Sequence, residues 1–109
     1  MFQISDAQVQ EAFDVLHQQT HAKARAGYEY AERRLKVALA KAQLAADGKT
    51  VGERDANAQT SEAYQAALKS FHLIAETYYA ERDKRDAAVS VIDAWRTQQS
   101  DRRAMGRVG

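Results

Sequence analysis

At 109 residues the chain suffices for one domain and not for two. Its 45% hydrophobic and 28% charged residues exclude a disordered segment, and 16 Lys and Arg against 15 Asp and Glu lack the overall basic excess of a protein that coats nucleic acid. The lack of cysteine excludes a disulfide framework, cysteine-ligated zinc and thiol nucleophiles.

The opening stretch Met1-Phe2-Gln3-Ile4 has no basic region leading into an apolar run, so no signal peptide is expected. No apolar run approaches the roughly 20 residues that span a bilayer. A cytoplasmic protein without membrane contact is the expectation.

Ser5-Asp6-Ala7-Gln8 predicts a helix start, because Ser5 and Gln8 can cap one another's backbone amides. Apolar or small residues then recur in steps of three and four at Val9, Phe13, Leu16, Thr20, Ala24, Tyr28, Ala31, Leu35, Ala38 and Ala42. Such spacing marks a coiled-coil-like stripe. Val15, Tyr30, Val37 and Leu44 widen it on its flanks. One helix is predicted from about Asp6 to Ala46, with Gly27 as the place for a bend or a close approach.

Asp47-Gly48 ends that helix, with Gly48 a left-handed cap, and the predicted turn covers 47–52. Thr50-Val51-Gly52-Glu53 forms a second capping box, and Thr60-Ser61-Glu62 offers a further start. A helix over about 53–103 follows, with its stripe at Tyr64, Leu68, Phe71, Ala75, Tyr78, Arg82, Arg85, Val89 and Ile92. Residues 104–109 are expected to fray. The fold class is therefore all-α, a long antiparallel helical hairpin in a single domain over 1–109.

Two helices bury one seam each, which is too little for Phe13, Tyr28, Tyr30, Tyr64, Phe71, Tyr78, Tyr79 and Trp95 together. Surplus apolar surface marks an interface. The simplest arrangement is a homodimer forming a four-helix bundle, with Tyr64, Phe71, Tyr78, Arg82 and Arg85 toward the partner. The alternatives are a monomeric hairpin capped by Phe2 and Ile4 folding back, and a three-helix monomer if Gly27 breaks the first helix.

His17 and His21, four apart on one helical face, have a spacing that can chelate a metal, but solvated surface histidines are the simpler expectation. His72 is expected to pack at an edge or an interface rather than to be catalytic. Carboxylates such as Glu29 and Glu32 pair with Arg33 and Lys36 at helical spacing, which suits an exposed face rather than acid–base work. No phosphate-binding loop, nucleophile elbow or dinucleotide fingerprint is present, and neither enzyme activity nor a cofactor or metal is expected.

Charge is unevenly spread. From Glu81 onward there are seven bases against five acids, whereas Asp47 to Ala80 holds three bases against five acids. Trp95, Arg96, Arg102 and Arg103 join an aromatic surface to guanidinium groups, as in binders of single-stranded nucleic acid. The alternative is that Trp95 anchors the helix end and the arginines offset the helix dipole. A basic row, Arg33, Arg34, Lys36 and Lys41, has no assigned place.

Tyr28 to Leu44, Thr50 to Ala56 with Ala58, Tyr64, and Ile92-Asp93-Ala94-Trp95-Arg96-Thr97-Gln98-Gln99-Ser100-Asp101-Arg102 together resemble small helical proteins of temperate bacteriophages. These are encoded among early genes for recombination and replication. The resemblance implies a non-enzymatic accessory protein in single-strand DNA metabolism, acting in the host cytoplasm on a phage or host protein. Inhibition of a host nuclease or defence system, or a structural bundle in a phage assembly, are the alternatives.

Overall fold

The structure, a computed structural model, describes residues 3–108, apart from the side chains of Arg107 and Val108. Among these residues every regular element is an α-helix: α1 (Asp6–His17), α2 (Thr20–Ala45), α3 (Val51–Gln59) and α4 (Glu62–Val108). The all-α prediction holds, with one long helix and one bent helix.

Helix α1 starts as its sequence dictates. The Ser5 hydroxyl accepts the Gln8 backbone N–H at 3.2 Å, and the Gln8 side-chain Oε1 accepts the Ser5 N–H at 2.8 Å. The helix predicted over about 6–46 is nevertheless broken at Gln18 and Gln19. Gln19 adopts a φ of 55°, in the left-handed region. That conformation costs a non-glycine residue about 1–2 kcal/mol, and neither glycine nor proline stands there to lessen it. The compensation is tertiary. The break lets α1 lay Ala12, Phe13, Val15 and Leu16 on Ala88, Val91 and Ile92. Just past it, the Thr20 hydroxyl donates to the Glu81 carboxylate at 2.6 Å. Gly27 lies inside uninterrupted α2, with no neighbour within 4 Å of where a Cβ would stand.

Helix α2 stops at Ala45, and α3 starts at Val51, slightly before the turn was expected to end. Gly48 has a φ of 154°, and a Cβ there would stand 2.9 Å from the Arg54 backbone nitrogen, so this position requires glycine. The Thr50 hydroxyl accepts the Glu53 N–H at 3.1 Å and starts α3. Gln43 donates to Asp55 at 3.1 Å and Asn57 donates to the Asp47 carbonyl at 2.7 Å, tying α3 to the end of α2.

The helix expected over about 53–103 is two helices. Thr60 closes α3, and the Ser61 hydroxyl accepts the Tyr64 N–H at 3.3 Å at the start of α4. Helix α4 then continues through the predicted frayed tail to Val108. Arg102, Arg103, Ala104 and Met105 are strong helix formers, and Gly106 alone does not end the run. Gly109 lies outside the described residues, as does Phe2, the other half of the expected N-terminal cap.

The chain divides into two compact units, one made of its two ends up to Ala22 and from Ala80, the other of Lys23–Tyr79. In the first, α1 runs antiparallel to α4: Ile4 meets Gln98 and Thr20 meets Glu81. Its buried residues are Ile4, Val9, Ala12, Ala88 and Ile92. In the second, α2 packs along the first part of α4 and α3 closes the turn; its buried residues are Ala31, Ala42 and Ala58.

Candidate functional site

Within the unit of the chain ends, α4 sets Trp95, Arg96, Gln99 and Arg103 around an open depression of about 350 Å³. Residues at steps of one, three and four share a helical flank, so this grouping follows from helix geometry. Arg102 is exposed but does not line the depression. Trp95 is half-buried and its indole N–H is buried without a hydrogen-bond partner. An orphaned donor of that kind costs about 1–3 kcal/mol. Two guanidinium groups beside an aromatic edge suit an anionic, planar or extended ligand.

Next to this depression, Gln98 clamps the N-terminal segment. Its side-chain carbonyl accepts the Ile4 N–H at 2.9 Å and its amide donates to the Ile4 carbonyl at 3.1 Å. Ile4 is therefore held against α4 and buried. No local signal marks Gln98, because its partner lies 94 residues away.

The residues expected to face a partner are distributed otherwise. Tyr64, Phe71 and Tyr78 are half-buried in the seam of Lys23–Tyr79. The Tyr28 ring stacks on Tyr78 at 4.7 Å and meets Phe71 at 5.5 Å and Tyr79 at 6.0 Å. A side-chain hydrogen bond with Tyr79 raises the Tyr28 hydroxyl above its ordinary value of 10.0, with burial and the neighbouring Tyr79, Glu32 and Tyr78 adding to the effect. Arg82 and Arg85, expected within the seam, are exposed. The half-buried residue of that turn is Glu81, followed by buried Ala88 and Ile92 and half-buried Trp95. From Ala80 onward α4 packs on α1 and the start of α2, and the residues it turns to them are Glu81, Ala88 and Ile92. Arg85 instead borders, with Gln19, His21 and Glu81, a cavity of about 360 Å³ beside the helix break.

A second stripe emerges on α2. Tyr30, Val37 and Leu44 remain 63%, 53% and 88% exposed, at intervals of seven residues. Arg34 and Lys41 occupy the alternate positions, and the Arg34 guanidinium lies 5.9 Å from the Tyr30 ring centroid. Alongside, Arg34, Ala38, Ser70 and Ile74 border a groove of about 290 Å³. The seven-residue repeat was visible in the chain, but these residues read there as flanks of the seam.

His17 ends α1 and His21 lies in the first turn of α2, so the break between them removes the one-turn chelating geometry. Among the described residues no three His, Cys, Asp or Glu side chains converge. His72 is exposed rather than packed at an edge and lies 2.9 Å from Glu76. Glu29 pairs with Arg25 at 3.2 Å, one turn before the expected Arg33.

No protein-family model, curated protein or solved structure matches this chain. Among the described residues no helix is long and apolar enough to cross a membrane.

Proposed function

We propose that the protein is a non-enzymatic binding module, a homodimer that forms a four-helix bundle and engages a further phage or host protein through the helix faces it leaves open. The observation that carries this reading is the thin interior of Lys23–Tyr79, which buries only alanines while Tyr30, Val37, Leu44 and Leu73 stay exposed. The setting is the one the sequence resemblance implies, an accessory role in phage DNA recombination or replication.

The outer face of α4 suits self-association. Glu62, Ala66, Lys69, Leu73 and Glu76 follow one another at steps of three and four and are all exposed. A face carrying both signs of charge around an apolar centre can pair with its own copy across a two-fold axis. Sedimentation equilibrium should give twice the 12.2 kDa chain mass, reduced to one chain by Leu73→Glu. A wild-type protein that stays monomeric at high concentration sinks the self-association.

Single-stranded DNA at the Trp95 depression is a second reading, favoured by the convergence of Trp95, Arg96 and Arg103. Oligothymidylate should quench Trp95 fluorescence at low salt, and Arg96→Ala with Arg103→Ala should remove the effect. Unchanged fluorescence at low salt rules this site out.

A further inference from the structure

The basic row of α2 and its exposed apolar stripe occupy the same stretch of helix. From Arg33 to Ala46 the chain holds four bases, Arg33, Arg34, Lys36 and Lys41, and no acid. Two of these, Arg34 and Lys41, alternate with Tyr30, Val37 and Leu44 in the stripe. The stripe thus repeats a large apolar residue and then a cation, over about 21 Å at 1.5 Å per residue.

We infer that this stripe is the docking face for an acidic amphipathic helix of a partner protein. The inference rests on the proposal that the protein works by binding partner helices. Apolar residues spaced by seven can seat against a second helix, and charged residues beside them set which partner is accepted. Tyr30, Val37 and Leu44 supply the apolar knobs. The groove bordered by Ala38 and Ser70 receives a side chain of the incoming helix, since small residues leave that space open.

Charge decides which helix binds. A second copy of this stripe would bring Arg34 and Lys41 against the same cations, and like charges in apposition oppose association. A helix with Asp or Glu beside its apolar seam places carboxylates opposite Arg34 and Lys41 instead. The Arg34 guanidinium, held 5.9 Å from the Tyr30 ring centroid, stands in position for a bidentate contact. Nucleic acid also carries negative charge, but Val37 and Leu44 are aliphatic and offer no stacking surface, whereas an amphipathic helix uses both.

The test uses the full chain and two stapled helical peptides of about three heptads, with Leu along the seam and either Glu or Lys on its flanks. The Glu peptide should shift the backbone amide resonances of Tyr30, Val37 and Leu44, with an affinity that falls as salt rises. Arg34→Glu with Lys41→Glu should weaken that peptide by about tenfold or more and make the variant prefer the Lys peptide. Both substituted residues are exposed, and circular dichroism checks that the helices persist.

The inference is overturned if the Glu peptide fails to bind at low salt, or if both peptides bind wild-type protein equally. It also fails if charge reversal leaves binding unchanged, or if oligothymidylate shifts the same amides at lower concentration than the Glu peptide. Sedimentation of the same samples separates this result from the broader proposal. A dimer that ignores the Glu peptide removes only the acidic partner; a monomer that binds it removes only the self-association.

Discussion

The two compact units solve the same packing problem differently. The unit of the chain ends buries Ile4, Val9 and Ile92 with two alanines and adds two long-range polar ties, Gln98 to Ile4 and Thr20 to Glu81. The unit over Lys23–Tyr79 buries only alanines, half-buries Leu35, Leu39 and an aromatic cluster around Tyr28, and leaves Val37, Leu44 and Leu73 exposed. Apolar burial contributes roughly 25 cal/mol per Å², so alanine contributes far less than isoleucine. One unit is closed on itself by aliphatic packing. The other leaves apolar side chains exposed.

The contrast can be broken most severely at Ile92. Ile92→Ala should cost about 3 kcal/mol, because it opens a cavity where α1 meets α4. Trp95, the only tryptophan, reports on that unit by fluorescence, and its transition should then precede the loss of helical circular dichroism. Coincident transitions would show that the two units unfold as one.

Gly48→Ala strikes the other unit. A methyl group would meet the Arg54 nitrogen at 2.9 Å in a conformation that suits glycine, so about 1–3 kcal/mol should be lost in chemical denaturation. Gln98→Ala removes both bonds to Ile4 and should cost about 1–2 kcal/mol. Faster hydrogen exchange at Ile4, with α2 unchanged, would confine that effect to the first unit.

The smallest effect is one of pH. The Tyr28 hydroxyl is raised above 10.0, so the stability it contributes is fully present below that pH and is lost as pH climbs through the folded-state value. Tyr28→Phe should flatten this alkaline loss in a pH series of thermal melts. A titration of tyrosine absorbance with every ring ionising at its ordinary value would contradict the origin assigned to it.

Much of the fold was legible because its causes are local. The Ser5–Gln8 box, the Thr50 cap and the restart near Ser61 each depend on residues within a few positions of one another; Gly48 instead lies three residues past the end of α2 with a φ of 154°, outside the left-handed cap expected of it. The site was less legible. Trp95, Arg96 and Arg103 share a depression because they share a helical flank, whereas Arg102 falls off that flank. Arg82 and Arg85 lie exposed because α4 beyond Ala80 meets α1 and Thr20 through Glu81, Ala88 and Ile92, contacts that no local repeat specifies.

The sequence by itself determined that the chain is helical and where its capped helices begin. These depend on backbone propensity, capping and sterics, which act over one or two turns. Only the tertiary structure decided that the first helix breaks at Gln18 and Gln19, that Gln98 holds Ile4, and that Tyr30, Val37 and Leu44 stay outside. A left-handed glutamine has no local cause. It persists because α1 gains Ala88 and Ile92 to pack on, contacts that exist only once residues some eighty positions apart meet.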